Sequence, residues 1–99
     1  MGSGGTRVET GKVFGTGAEI SFRQVGFRPT KVELINLTSH DKLTWMDQMA
    51  DAGGHKQVAA GTSSLITSGG ITPLSDGFKL GTDSDMNVSG EALAFIAHE

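Results

Sequence analysis

From Arg7 onward the chain consists of short runs in which apolar side chains recur at every second position, broken by clusters of Gly, Ser, Thr, Asn and Pro. A period of two marks a strand with one face on a core, and turn residues at such short intervals are those of a small all-β domain. Ala18, Ile20 and Phe22 share one parity and Glu19, Ser21 and Arg23 the other, which predicts a half-buried strand with a wet face. Lys31 to Leu37 carries Val32 and Leu34 on one parity and Ile35 and Leu37 on the other, the pattern of a central strand buried on both sides. Between them Phe27 to Thr30 reads as a corner, because Pro29 sets its own φ and pushes Arg28 towards extended geometry.

Leu43 to Asp47 reads as a third strand. Trp45, Met46 and Met49 also fit the spacing of a short helix, but Thr44 and Trp45 favour a strand and Gly53-Gly54 would cut a helix short. Lys56 to Ala59 and Ser64 to Thr67 are weaker strands separated by Gly61, and Gly69-Gly70 is expected to turn the chain before Ile71 to Leu74. Phe78 to Leu80 lies between Gly77 and Gly81, and Glu91 to His98, apolar on both parities, is expected to be central again. About seven or eight short strands result, which predicts an all-β fold, a compact sandwich or jelly-roll-like barrel. No segment has the long 3.6-residue periodicity of a packed helix, so helical bundles and doubly wound folds are excluded. Residues 1–10 read as a Gly-rich extended N-terminal arm and residues 11–99 as one β domain, since Met1 to Thr6 offers no side chain worth burying beyond Met1.

Composition narrows the picture. With 99 residues there is room for one domain. Folding leaves about 5,400 Å² of roughly 15,000 Å² exposed, so the core is modest. The chain has no cysteine, which removes thiol nucleophiles, disulfides and thiolate zinc sites together. Glycine, at 15 residues, is about twice its usual share. Eight Lys and Arg against eleven Asp and Glu give a net charge of −3, without the basic stripe of a nucleic-acid binder. Arg23, Arg28 and Lys31 are the nearest approach to one and read as a solvated face. The longest uncharged run, near Val58 to Leu74, is too polar to span a bilayer, and Met1 to Thr6 lacks the apolar stretch of a signal peptide, so neither membrane nor export is expected.

Candidate chemistry is sparse. His40, His55 and His98 have no ligand spacing, Asp47 and Asp51 form a loop pair without a partner base, and Gly15-Thr16-Gly17 lacks the lysine of a phosphate loop. No catalytic set and no cofactor site is assigned. Asp83, Asp85 and Asn87 stand at alternate positions like the start of a calcium loop, with Glu91 beyond. The glycine and glutamate that such a loop wants at its sixth and twelfth positions are replaced by Val88 and Ala94, so the competing reading is an Asp/Asn turn that leaves Met86 and Val88 free to face the core. Trp45, the only tryptophan, is either a core anchor or a contact residue at a subunit interface.

Gly70-Ile71-Thr72-Pro73-Leu74, Gly77 to Asp83, Asn87-Val88-Ser89-Gly90-Glu91 and the closing Ala94-Phe95-Ile96-Ala97, with Val32 to Thr38, Trp45 and Met49-Ala50-Asp51, resemble small structural proteins of tailed-bacteriophage virions over residues 11–97. That resemblance implies a non-enzymatic capsid decoration, or cement, protein on the outer surface of the virion head, assembled in the host cytoplasm. Its implied partners are the major capsid protein and other copies of itself in a homotrimer, with no nucleic acid and no membrane. The expected contacts are Gly2, Ser3, Gly4, Gly5, Thr6 and Arg7 of the arm, which adds area without a core, together with Trp45. A tail or fibre component touching the host is the alternative within the same group, and a calcium-dependent binding module using Asp83, Asp85 and Asn87 the alternative outside it.

Overall fold

The computed structural model describes residues 7–58 and 61–99, and among these eight strands carry the fold. They are β1 Val8–Phe14, β2 Ile20–Phe22, β3 Lys31–Asn36, β4 Lys42–Met46, β5 Gly53–Gln57, β6 Ser63–Leu74, β7 Gly77–Leu80 and β8 Ala92–His98. All pair antiparallel in one sheet of order β1-β8-β3-β4-β5-β6-β7-β2. A 3-10 turn, Arg23–Val25, follows β2 and ends on Gly26 in the left-handed region. The all-β class is therefore the one the alternation predicted. One continuous sheet curls into a half-barrel, with β1 and β2 as its edges.

The inner face holds the core. Val32 and Leu34 of β3, Leu43 and Trp45 of β4, Ile71 of β6, Phe78 and Leu80 of β7, and Leu93, Phe95 and Ala97 of β8 are all buried, joined by Phe22, Val25, Phe27 and Met86. Phe22 stacks on Phe78 at 4.5 Å between ring centroids, and Phe95 meets both rings edge-on at 5.2 and 5.3 Å. These three rings join the β2–β7 end of the sheet to β8, near the opposite edge, which curls the sheet. Gly11 of β1 makes room for them, because a methyl group there would lie 2.6 Å from the Phe95 ring.

Several expectations are corrected. The arm was expected to reach residue 10, but Val8, Glu9 and Thr10 pair with His98, Ala97 and Ile96 as the first part of β1. Gly2, Ser3, Gly4, Gly5 and Thr6 lie outside the described residues. In β3 and β8 only one face is fully buried: Ile35, Ala94 and Ile96 are half-buried on the outer face, and Leu37 is exposed just beyond β3. Among the described residues no second layer covers that face, and Lys31 and Glu33 share it with Ile35.

Gly69-Gly70 does not turn the chain between two strands. Both lie inside the long β6, where adjacent Gly53 and Gly54 pair with Ile71 and Ile66, so that Thr67, Ser68, Gly69 and Gly70 form a large bulge between them. Gly69 has φ +78°, and a methyl group on Gly70 would overlap the carbonyl oxygen of Gly53. The bulge is fixed by Gly70 N–H donating to Ala52 O and Gly81 N–H donating to Gly70 O, both at 2.9 Å. It bends β6 so that its first half pairs with β5 and its second half with β7. Gly70→Ala is expected to destabilise the protein by about 2 to 4 kcal/mol, read as a shift of the denaturation midpoint, because the Ala52–Gly53 backbone would have to move.

Candidate interaction surface

The loop from Gly81 to Glu91 crosses the open side of the half-barrel, and it contains the residues that the calcium reading singled out. Asp83 Oδ2 accepts from the backbone N–H groups of Asp85 and Met86 at 3.1 and 3.2 Å, the signature of an Asp turn. Met86 is consequently buried, and Val88 half-buried. Lys56 of β5 reaches over from the sheet, its Nζ 3.0 Å from Asp83 Oδ1 and 2.8 Å from Asp85 Oδ2. The Lys56 ammonium is held above its ordinary value, first by the hydrogen bond to Asp85 and then by Asp83, against the opposing effect of burial.

Asn87 points elsewhere. Its Oδ1 accepts from the N–H groups of Thr16 and Gly17 at 2.9 and 3.1 Å, and its Nδ2 donates to Ala18 O at 2.6 Å and Gly81 O at 2.9 Å. The amide thus ties the β1–β2 connection to the end of β7. Asn36, at the end of β3, does the matching work from below: Nδ2 donates to Glu91 Oε1 at 2.8 Å, with Asp85 O and Met86 O each at 3.4 Å, and Oδ1 accepts from Thr38 and Ser39 N–H. Asp83, Asp85 and Asn87 therefore do not converge on a cation. Two of them hold Lys56 and the third is a backbone clamp, and among the described residues no group of three His, Asp or Glu side chains is placed to share a metal.

The other expected contacts are placed as follows. Trp45 is a core residue, 1% exposed, with its indole N–H donating to Ala50 O at 3.2 Å, so it is withdrawn as a partner contact. Arg7 forms a two-point ion pair with Glu99, Nε to Oε1 at 3.0 Å and Nη2 to Oε2 at 2.7 Å, and its guanidinium lies 5.1 Å from the Phe27 ring centroid. The hydrogen bond to Arg7 holds the Glu99 carboxyl below its ordinary value. Arg7 is thus engaged by its own domain and remains partly exposed. His55 and His98 lie on the outer face, separated by β3 and β4, and His40 sits in the β3–β4 turn.

What remains is the outer face itself. Strand register sets Phe14 beside Ala92, Ile35 beside Ala94 and Glu33 beside Ile96, and around Ala94 there is a shallow groove of about 330 Å³ lined by Glu33, Ile35, Lys42, Thr44, Ala94 and Ile96. Val8, Phe14, Met46 and Leu65 add exposed apolar side chains towards the margins of the same face. The face is mixed in character, its apolar side chains standing beside Glu33, Lys42 and Thr44. Sequence reading assigned Ile35 and Ile96 to a second buried layer and so missed it; the exposed parity of β1 carries no such ambiguity once Gly11 is seen as a core position. No helix among the described residues is long and apolar enough to cross a membrane.

No known family model, curated protein or solved structure matches the chain.

Asn87→Ala is expected to destabilise the fold by roughly 2 to 4 kcal/mol in chemical denaturation, because it removes the side-chain partner of the Thr16 and Gly17 N–H groups and of Gly81 O and leaves Ala18 O with the Thr16 hydroxyl alone. For Lys56, whose folded value is raised, the stabilisation is complete below the ordinary value of 10.5 and is lost as pH rises through the raised one. The melting temperature of the native protein should therefore fall over that alkaline range more steeply than that of a Lys56→Met variant, measured by circular dichroism.

Proposed function

We propose that the chain is a non-enzymatic decoration protein of a tailed-phage head, binding the outer surface of the major capsid protein lattice in several copies and bracing the shell. One observation carries this reading: the half-barrel buries a core on its inner face and, among the described residues, leaves its outer face uncovered, with Val8 and Phe14 exposed and Ile35, Ala94 and Ile96 half-buried beside Glu33 and Lys42. A surface of that kind recognises another protein by shape and desolvation rather than by chemistry. The polar side chains that could have supplied a site are engaged in holding the fold, Asn36 and Asn87 as backbone clamps and Lys56 with Asp83 and Asp85 as an ion cluster. The resemblance of residues 11–97 to virion structural proteins supplies the identity of the partner, and the Gly-rich composition of residues 1–6 is the reason for assigning that segment a contact with a neighbouring subunit.

The test is immunogold labelling of intact tailed-phage particles that carry the chain. Label over the heads is the expected result, and label confined to tails or absent from particles would overturn it. Removing residues 1–6 should weaken attachment to purified heads in a co-sedimentation assay while the far-ultraviolet circular dichroism of the free protein stays the same. Undiminished attachment would remove the arm from the interface.

A further inference from the structure

The sheet has two free edges of unequal kind. β2 is three residues long and runs at once into the Arg23–Val25 turn, which blunts it. β1 is seven residues long, with no proline, no residue of positive φ and no register shift against β8. Glu99 N–H donates to Arg7 O and Gly15 N–H to Glu91 O, so the hydrogen-bonded pairs between them along this ladder are those of Glu9, Gly11 and Val13. The N–H and C=O groups of Val8, Thr10, Lys12 and Phe14 therefore point away from β8, and among the described residues no strand receives them. Their side chains share the outer face, and two of them are large exposed apolar groups: Val8 is 52% and Phe14 58% exposed.

From this edge we infer that two copies of the chain associate by pairing β1 with β1 antiparallel across a two-fold axis at Gly11, joining their sheets into one. The register follows from the side chains. With Gly11 opposite Gly11, Val8 of each copy lies against Phe14 of the other and Thr10 against Lys12, so both exposed apolar residues are covered and no like charges stand directly opposite, the two Lys12 side chains being diagonal across the axis. Sliding the partner by two residues in one direction puts Lys12 against Lys12. Sliding it in the other puts Lys12 against Val8 and leaves Phe14 beyond the end of the paired strand. Only the central register satisfies the four outward-facing backbone positions and the apolar pair together. The lack of a side chain at Gly11 also lets the two strands approach closely at the non-hydrogen-bonded pair on the axis. The pairing stands on the free edge of β1 and is measured on the isolated protein without shells, so its failure and that of the decoration reading are distinguishable.

Sedimentation velocity of the full-length protein over a concentration series should show a species of twice the 10.3 kDa chain mass. Thr10→Pro, which removes an outward N–H and none of those directed at β8, and Val8→Asp should each raise the dimer dissociation constant about tenfold or more. Leu65→Asp, on the outer face of β6, should leave it unchanged. Because the chain has no cysteine, the register is read directly: an oxidised equimolar mixture of Val8→Cys and Phe14→Cys proteins should yield a covalent heterodimer, while each variant alone stays largely monomeric in a denaturing gel. A monomer at all concentrations, a trimer, or equal cross-linking by each cysteine variant alone would overturn the inference. Retained dimerisation in both Thr10→Pro and Val8→Asp, with the folded spectrum intact, would do the same.

Discussion

The fold depends most on the side-chain amide of Asn87. A half-barrel with two free edges has no ladder of hydrogen bonds to close it, and the loop from Gly81 to Glu91 has to span the open side as irregular backbone. Such a segment would leave polar groups buried without partners. Asn87 answers this with both ends of one amide, accepting from two N–H groups of the β1–β2 connection and donating to carbonyls of that connection and of Gly81. Asn36 anchors the same loop from β3, and Met86 between them fills the core. No buried side-chain polar atom among the described residues lacks a hydrogen-bond partner, which in a domain this small is what lets a polar loop serve as part of the core.

The aromatic triad and the glycines are complementary consequences. Phe22, Phe78 and Phe95 draw distant strands together, and close approach is possible only where side chains are missing. Gly11 yields space to Phe95, and Gly70 lets β6 cross Gly53 and Gly81 at backbone contact. The high glycine content is thus only partly a matter of turns. At these positions it is the means by which one sheet bends far enough to cover its own inner face.

The same construction explains the surface. A sheet that curls to bury one face against itself leaves, among the described residues, its other face without a layer and its first strand with a neighbour on one side only. Ala92, Ala94, Ile96 and Ile35 therefore stay half-buried on the outer face, and β1 is an edge. Lys56 with Asp83 and Asp85 shows the opposite case, charged side chains used inward to secure the loop by pairing with one another.

Much of this was legible in the residues. The period-two alternation located β2, β3, β4, β7 and β8, the Asp and Asn spacing after Gly81 announced a turn with Met86 free for the core, and the absence of helical periodicity settled the class, because strand and turn preferences act over a few neighbouring residues. Apolar residues on both parities of β3 and β8 were read as two buried faces, yet such a pattern records only that both faces are apolar. Whether a second layer covers one of them depends on contacts between distant segments. Gly69-Gly70 as a bulge, Trp45 as core, Asn87 as a clamp and Val8 to Thr10 as strand were decided in the same way, since each depends on a partner far along the chain. Local chemistry determined which segments are strands and turns; only the tertiary structure decided which faces and edges those strands leave open, because burial is a property of how the whole sheet curls and not of any one segment.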